Sequence, residues 1–278
     1  MITLDPSEKA LFLSNIKSAV APRPIAFAST VNAAGVVNLS PFSYFNLFGT
    51  EPPVVVFSPN RRARDGSQKH TYLNLLEVPE MVINLVDYAM VQQASLASCE
   101  YPAGTNEFIK AGLTEIPSDL VRPPRVAEAP VQLECKVLKI ESIGDANLVI
   151  AEVIRMHIAD ELLDERGVID QRKTDWVARL GADWYSRASA GLFEVPKPAR
   201  NLGIGFDQLP ENVRNSTILT GNELGMLANA ERLPEPEEVQ AYQLENHIPS
   251  SREERHHLAR RRLAENKVRE AWLVLLQL

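Results

Sequence analysis

Cysteine is nearly absent: the 278 residues hold two, Cys99 and Cys135. Two distant cysteines with no CxxC spacing exclude a disulfide framework and a cysteine-built zinc site, and predict two reduced, mostly buried thiols. Glycine is scarce beside proline, 13 against 19, which points to rigid turns rather than flexible linkers. Long apolar runs are missing. The longest, Pro52–Phe57 and Trp272–Leu275, fall far short of the ~18 residues of a membrane span. Asp5, Glu8 and Lys17 interrupt the N-terminal stretch, so it does not read as a signal peptide, and the cytoplasm is the expected location. Nor is there an excess of positive charge. Lys and Arg number 29 against 36 Asp and Glu, a net charge of -7, so the chain is not expected to bind nucleic acid.

The familiar catalytic motifs are lacking as well. No Walker A loop, GxSxG or HExxH occurs. Gly203-Ile-Gly205 lacks the third glycine of a dinucleotide fingerprint and follows no strong strand. Glu254-x-x-His257 has the spacing of a di-iron helix motif but no second copy, so it reads as a solvated helix face, and no metal site is expected. With no nucleophile–base set, the chain is either not an enzyme or hands its chemistry to a cofactor.

What is present is ordinary globular material, 45% hydrophobic and 23% charged. Residues 1–200 and 201–278 read differently. The first part is mainly β with added helices (α+β). Ile25–Val31 and Val36–Phe45 read as a hairpin across Asn32-Ala-Ala-Gly35, Pro53–Phe57 and Met81–Val86 as buried strands, and Val131–Ile140 with Leu148–Ile154 as a second hairpin. The alternation in Val131–Ile140 predicts one face on a core and one in water. Helices are expected near His70–Leu76 and Tyr88–Ser98. Without regular βα alternation, a β-barrel is favoured over a doubly wound sheet. In the second part, Thr220 with Glu223 and Ser251 with Glu254 have capping-box spacing. Ala264, Val268, Ala271, Trp272 and Leu275 then form one amphipathic final helix.

The information is densest in Arg23–Thr71. Arg61, Arg62, Arg64, Ser67, Lys69 and Thr71 crowd one loop that follows a buried strand and ends at a helix start. Fixed cations, hydroxyls and helix-start N–H groups suit a phosphate monoester. Asn38, Ser40, Ser43 and Asn46 alternate with Pro41, Phe42 and Phe45, giving flat walls and edge-directed hydrogen bonds for a planar ring. Pro41 in mid-strand marks an edge or a bulge.

The runs RPIAFASTVNAAGVVNLSPFSYFN, PPVVVFSPNRRARDGSQKHT and MVINLV resemble the flavin reductase-like family with its FMN-binding split-barrel fold. EYPAGTNEFIKAGLT, VRPPRVAEAPVQLECKV and RLGADWYSR continue the resemblance, which covers about residues 10–195 in order. It implies a flavoprotein oxidoreductase that moves hydride from NAD(P)H to flavin, with FMN or FAD bound. It also implies a homodimer with the site near the subunit interface. No catalytic side chain is implied, since flavin carries the chemistry. Ser29 and Thr30 would lie along the flavin, Asn38, Ser40, Phe42 and Ser43 would line the ring and ribityl chain, and Asn46 would sit near the ring edge. Arg62, Ser67, Lys69 and Thr71 would hold the phosphate. Relatives often read Lys-Asp-Thr where this chain has Lys69-His70-Thr71. Two other readings stay open: a non-catalytic FMN-binding or storage protein, and a related split-barrel oxidase using another phosphate-bearing cofactor. The extension 201–278 lies outside the resemblance. It reads as a helical cap or dimerisation arm, with a docking surface for a monooxygenase as the sharper alternative.

Overall fold

The computed structural model describes residues 1–195 and 202–277. The chain divides into two compact units, Met1–Phe193 and Glu194–Leu278. The first begins with helix α1 (Lys9–Ala19), none of whose residues is buried. Strands β1 (Ala26–Val31), β2 (Val37–Phe42), β3 (Phe45–Thr50) and β4 (Pro53–Phe57) follow, then helix α2 (His70–Glu77), strand β5 (Glu80–Leu85), and helices α3 (Val91–Leu96) and α4 (Glu107–Ala111). Short β6 (Glu115–Ile116) and β7 (Arg125–Val126) lead to the long hairpin β8 (Val131–Ile143) and β9 (Ala146–Ile158), and β10 (Val177–Arg179) pairs with β11 (Tyr185–Arg187).

The main sheet has seven strands in the order β2-β1-β5-β8-β9-β4-β3, each pair antiparallel. Its edge strands, β2 and β3, are consecutive in sequence, with only Ser43 and Tyr44 between them. A flat sheet with six spacings of ~4.8 Å would set its edges roughly 29 Å apart. The step from Phe42 to Phe45 reaches at most roughly 11 Å. The sheet must therefore curl until its edges meet near Ser43, yet β2 and β3 do not pair. This is a barrel split along one seam.

The expected first hairpin forms, with Ala26 opposite Phe42 and Val31 opposite Val37, and Gly35 takes φ +83 in its turn. The strand expected over Val36–Phe45 is corrected. It stops at Phe42, and Phe45 starts a strand on the other edge. Pro41 lies in an edge strand, where its missing N–H breaks no ladder. Both faces of β1 are buried: Ala26 and Ala28 point into the barrel with Phe57, Met81 and Ile83, while Phe27 packs outside with Leu39, Met90 and Phe108. The water-facing side expected over Val131–Ile140 is corrected for its first half only, since Lys136, Leu138 and Lys139 are exposed. Gln132 and Glu134 are buried because the segment before the hairpin folds over them. Arg125 donates to Gln132, and the Asp119 and Leu120 N–H groups and His157 engage Glu134. Cys135 is buried as expected, and burial pushes its thiol up, but Cys99 is exposed.

The second unit holds helices α5 (Glu211–Arg214), α6 (Gly221–Ala228), α7 (Pro236–Glu245), α8 (Arg252–Ala264) and α9 (Val268–Leu275). Leu224, Leu227, Leu263 and Trp272 belong to its core, and Trp272 donates to the Leu227 carbonyl at 3.1 Å. The Thr220–Glu223 capping box forms. Ser251 does begin a helix, but its side chain makes no cap hydrogen bond. The single final helix expected over Ala264–Leu275 is two. Asn266 adopts φ +58, a region asparagine tolerates, and starts α9 in a new direction with Ala264 left exposed. Glu254 and His257 are both exposed. Among the described residues no helix is long and apolar enough to cross a membrane.

Candidate functional site

The loop between β4 and α2 is built by its own polar groups. The Arg62 N–H donates to the Ser67 carbonyl at 2.9 Å, and Arg62 Nη1 reaches Ser67 Oγ at 3.1 Å and the Gln68 carbonyl. Asp65 accepts from the Ser67 N–H and hydroxyl, which hold its carboxyl down at about 2. Asn147, from the barrel wall, grips the loop through the Pro59 carbonyl and Gln68 Oε1. The loop then delivers Lys69, His70 and Thr71 to the start of α2, where Lys69 is the N-cap. No side chain caps this helix, and its first turn has no acidic residue, so its N–H groups stay open to an anion.

A small cavity of about 20 Å³ lies there, lined by Arg62, Lys69, His70 and Thr71, by Asn38 and Ser40 of β2, and by Glu100 and Glu107 from across the opening. Three observations fit a phosphate. First, the Thr71 hydroxyl is buried with no hydrogen-bond partner. Second, burial, and then the Arg62 charge, lower the pKa of Lys69. Third, burial, then Arg62 and Lys69, lower that of His70. Burial is the larger cause of both shifts and the neighbouring cations the smaller, and an anion placed beside Arg62 and Lys69 would offset both. The nearest substitute is Glu100, whose carboxylate stands 3.6 Å from Arg62 Nε and 3.6 Å from Arg64 Nη2.

Ser98 lines this cavity and also a second of about 290 Å³, walled by Pro41, Phe42 and Ser43 and by Val91, Ala94, Arg179 and Tyr185. Ser43 in turn borders a third cavity of about 650 Å³, with Tyr44, Phe45, Asn46 and Phe48 at the seam of the barrel. The first cavity thus adjoins, through Ser98, a second whose walls set Pro41, Phe42 and the Tyr185 ring among the polar groups of Ser43, Ser95 and Arg179.

Of the residues singled out from sequence, Asn38, Ser40, Arg62, Lys69 and Thr71 meet around the first cavity, Phe42 and Ser43 line the second, and Ser43 and Asn46 the third. Ser67 lines none of them and supports the loop. Ser29 and Thr30 are not brought to the site. They are fully buried in β1, where Ser29 donates to the Pro124 carbonyl and Thr30 accepts from Asn74 at 3.1 Å. Sequence reasoning missed Glu107, Arg179 and Tyr185. Glu107 is buried, accepts from the Leu39 N–H at 3.0 Å, and has its carboxyl pushed up by burial. Its setting in a helix start, Asn106-Glu107, is a local signal; its position beside β2 is not.

The family model for the flavin reductase like domain matches residues 18–177. The chain belongs to this family of flavin-binding oxidoreductases, and its barrel is the split barrel of that family. It is 39% identical over 186 residues to an uncharacterized protein of Halalkalibacterium halodurans, covering 65% of this chain and 88% of that one. Among solved structures it resembles nitrilotriacetate monooxygenase component B from Bacillus cereus, with 29% identity, a TM-score of 0.65, and coverage of 70% of this chain and 98% of that one. It also resembles 2-nitrobenzoate 2-nitroreductase from Pseudomonas fluorescens, with 28% identity, a TM-score of 0.61, and coverage of 70% and 96%.

Proposed function

We propose that the protein is a flavin reductase that binds FMN and takes hydride from NAD(P)H. The observation that carries this reading is the cationic seat at α2 with its unpartnered Thr71 hydroxyl, opening toward the cavity walled by Phe42. Arg62 and Lys69 would neutralise the phosphate, Thr71 and the open N–H groups of α2 would donate to it, and Asn38 and Ser40 would meet the ribityl hydroxyls. Phe42, Pro41 and Ser43 would hold the ring. FAD would fit only with its second phosphate outside the seat, so FMN is preferred. When bound, the flavin supplies the two-electron chemistry, which is why the chain needs no acid–base pair of its own. The protein's part is to orient the ring, exclude water from one face and leave the other open to the nicotinamide.

A second copy of the chain would cover that open side. β3 is an edge strand with Leu47 and Phe48 exposed, Tyr44 stands beside them, and α1 exposes Leu11, Leu13 and Ile16. Unpaired strand edges and apolar patches of this kind are normally covered. The likeness to a monooxygenase component B supports delivery of reduced flavin to a monooxygenase partner. The helical unit would act as a cap or dimerisation arm, and the free thiols suit the cytoplasm. The test is to add FMN to the purified protein, remove unbound flavin, and record the visible spectrum. Retained flavin absorbance with an FMN mass in the extract supports the reading; a colourless protein refutes it.

A further inference from the structure

The segment RLGADWYSR forms β10, its turn and β11, and carries one feature that flavin binding alone does not use. Among the described residues lining the 290 Å³ cavity, Arg179 alone is charged. Its position is fixed from several sides. Its backbone pairs with Arg23, N–H to carbonyl in both directions at 2.9 and 2.8 Å. Its guanidinium lies over the Tyr185 ring, 4.7 Å from the centroid, and Nη1 donates to the Tyr185 hydroxyl at 2.7 Å. Among the described residues the one carboxylate within ion-pair distance is Asp183 at 3.3 Å, a side chain fully in solvent, whereas the side chain of Arg179 is 29% exposed. Nη2 also donates to the Ala182 carbonyl, and water screens the Asp183 pairing, so no buried carboxylate among the described residues neutralises the one charged side chain that lines this cavity. The Tyr185 hydroxyl, having accepted from Arg179, keeps its own proton to donate.

We infer that Arg179, held by Tyr185, is the charge that stabilises the reduced, anionic flavin ring. The inference rests on the proposed function. The charge balance is simple. NAD(P)H gives up hydride and becomes NAD(P)⁺. The neutral ring gains two electrons and one proton at N5, and is left with one negative charge spread over N1 and the C2 carbonyl. No proton has entered from elsewhere, so a fixed cation beside the ring favours the product over the reactant. Arg179 is a positioning and electrostatic group, and it need not touch the nicotinamide.

The experiment uses full-length protein loaded with FMN and has two readouts that do not depend on turnover: the two-electron potential, and the affinity for sulfite, which adds at N5 and leaves the same negative charge on the ring. R179Q lowers the reduced-to-oxidised equilibrium about tenfold, about 30 mV for two electrons, and weakens sulfite binding by a similar factor. R179K keeps most of both. Oxidised FMN binds all three proteins alike, since the oxidised ring is neutral. If R179Q does not hold flavin, Y185F decides, with sulfite affinity down about threefold, because the guanidinium loses its fixed partner. The inference is overturned if R179Q binds FMN with wild-type potential and sulfite affinity, if R179K behaves as R179Q does, or if Y185F is unchanged where it must decide. Wild-type protein that takes up no FMN overturns the proposed function, and this inference with it.

Discussion

Replacing Thr71 by valine should move two properties in opposite directions. The Thr71 side chain is 1% exposed and its hydroxyl has no partner, while its neighbours Asn74 and Leu75 are also buried. Burying an unpaired polar group costs about 1–3 kcal/mol, and valine has nearly the same shape without the hydroxyl. Flavin-free T71V should therefore be more stable by about 1 kcal/mol, a rise of roughly 2–4 °C in Tm for a unit of this size. FMN binding should weaken, because a hydrogen bond to a charged phosphate is worth about 1.5–3 kcal/mol, or a roughly 10- to 100-fold rise in Kd. Riboflavin, which has no phosphate, should bind both proteins alike. The assay is a thermal melt of flavin-free protein together with flavin-fluorescence titrations using FMN and riboflavin. Two results would refute the reasoning: a flavin-free T71V that melts several degrees lower, or FMN and riboflavin affinities that fall together.

Four further outcomes follow from the same geometry. E100A removes the carboxylate that now faces Arg62 and should tighten FMN binding several-fold, as read by titration; weaker binding would make Glu100 part of the seat rather than its competitor. The lowered pKa of His70 means the unfolded chain takes up a proton near 6.5 before the folded flavin-free protein does, so stability should be complete above that pH and fall as acid is added below it. H70Q should flatten this limb of the first unit's melting curve, and His256, which is lowered in the same direction while paired with Ser216, should impose a similar limb on the second unit. E134L strands the Asp119 and Leu120 N–H groups and His157, and should cost about 3 kcal/mol in a denaturant titration. Ending the chain after Phe193 should leave FMN affinity within about threefold while shifting the proposed dimer toward monomer in sedimentation.

The parts of this molecule that local chemistry dictates were legible in its sequence. The turn at Asn32–Gly35, the start of α2 at His70, and the Thr220–Glu223 cap each follow from neighbouring residues. The crowding of Arg62, Lys69 and Thr71 is likewise a local feature, and it survives as a cavity wall. What stayed hidden depends on distant contacts. Nothing in Ser43-Tyr44 says that β3 departs to the far edge of the sheet, because the polar–apolar alternation runs on through the break. Ser29 and Thr30 look like ligand-facing strand residues until Asn74 and Pro124 arrive to occupy their hydroxyls. Arg179 lies far along the chain from Phe42, and backbone pairing of its segment with Arg23, Val86 and Tyr88 carries it to the same cavity. The break at Asn266 was readable in principle, since asparagine is among the few residues that take a left-handed conformation readily.

The central claim is that the protein holds FMN and lets a reduced nicotinamide deliver hydride to it. The most direct measurement is anaerobic: FMN-loaded protein is mixed with NADH or NADPH and its visible absorbance is followed. The account predicts that the oxidised flavin bands bleach with one equivalent of either nicotinamide and return on admission of air. Bound FMN that keeps its oxidised spectrum with both nicotinamides would contradict the account and favour a binding or storage role.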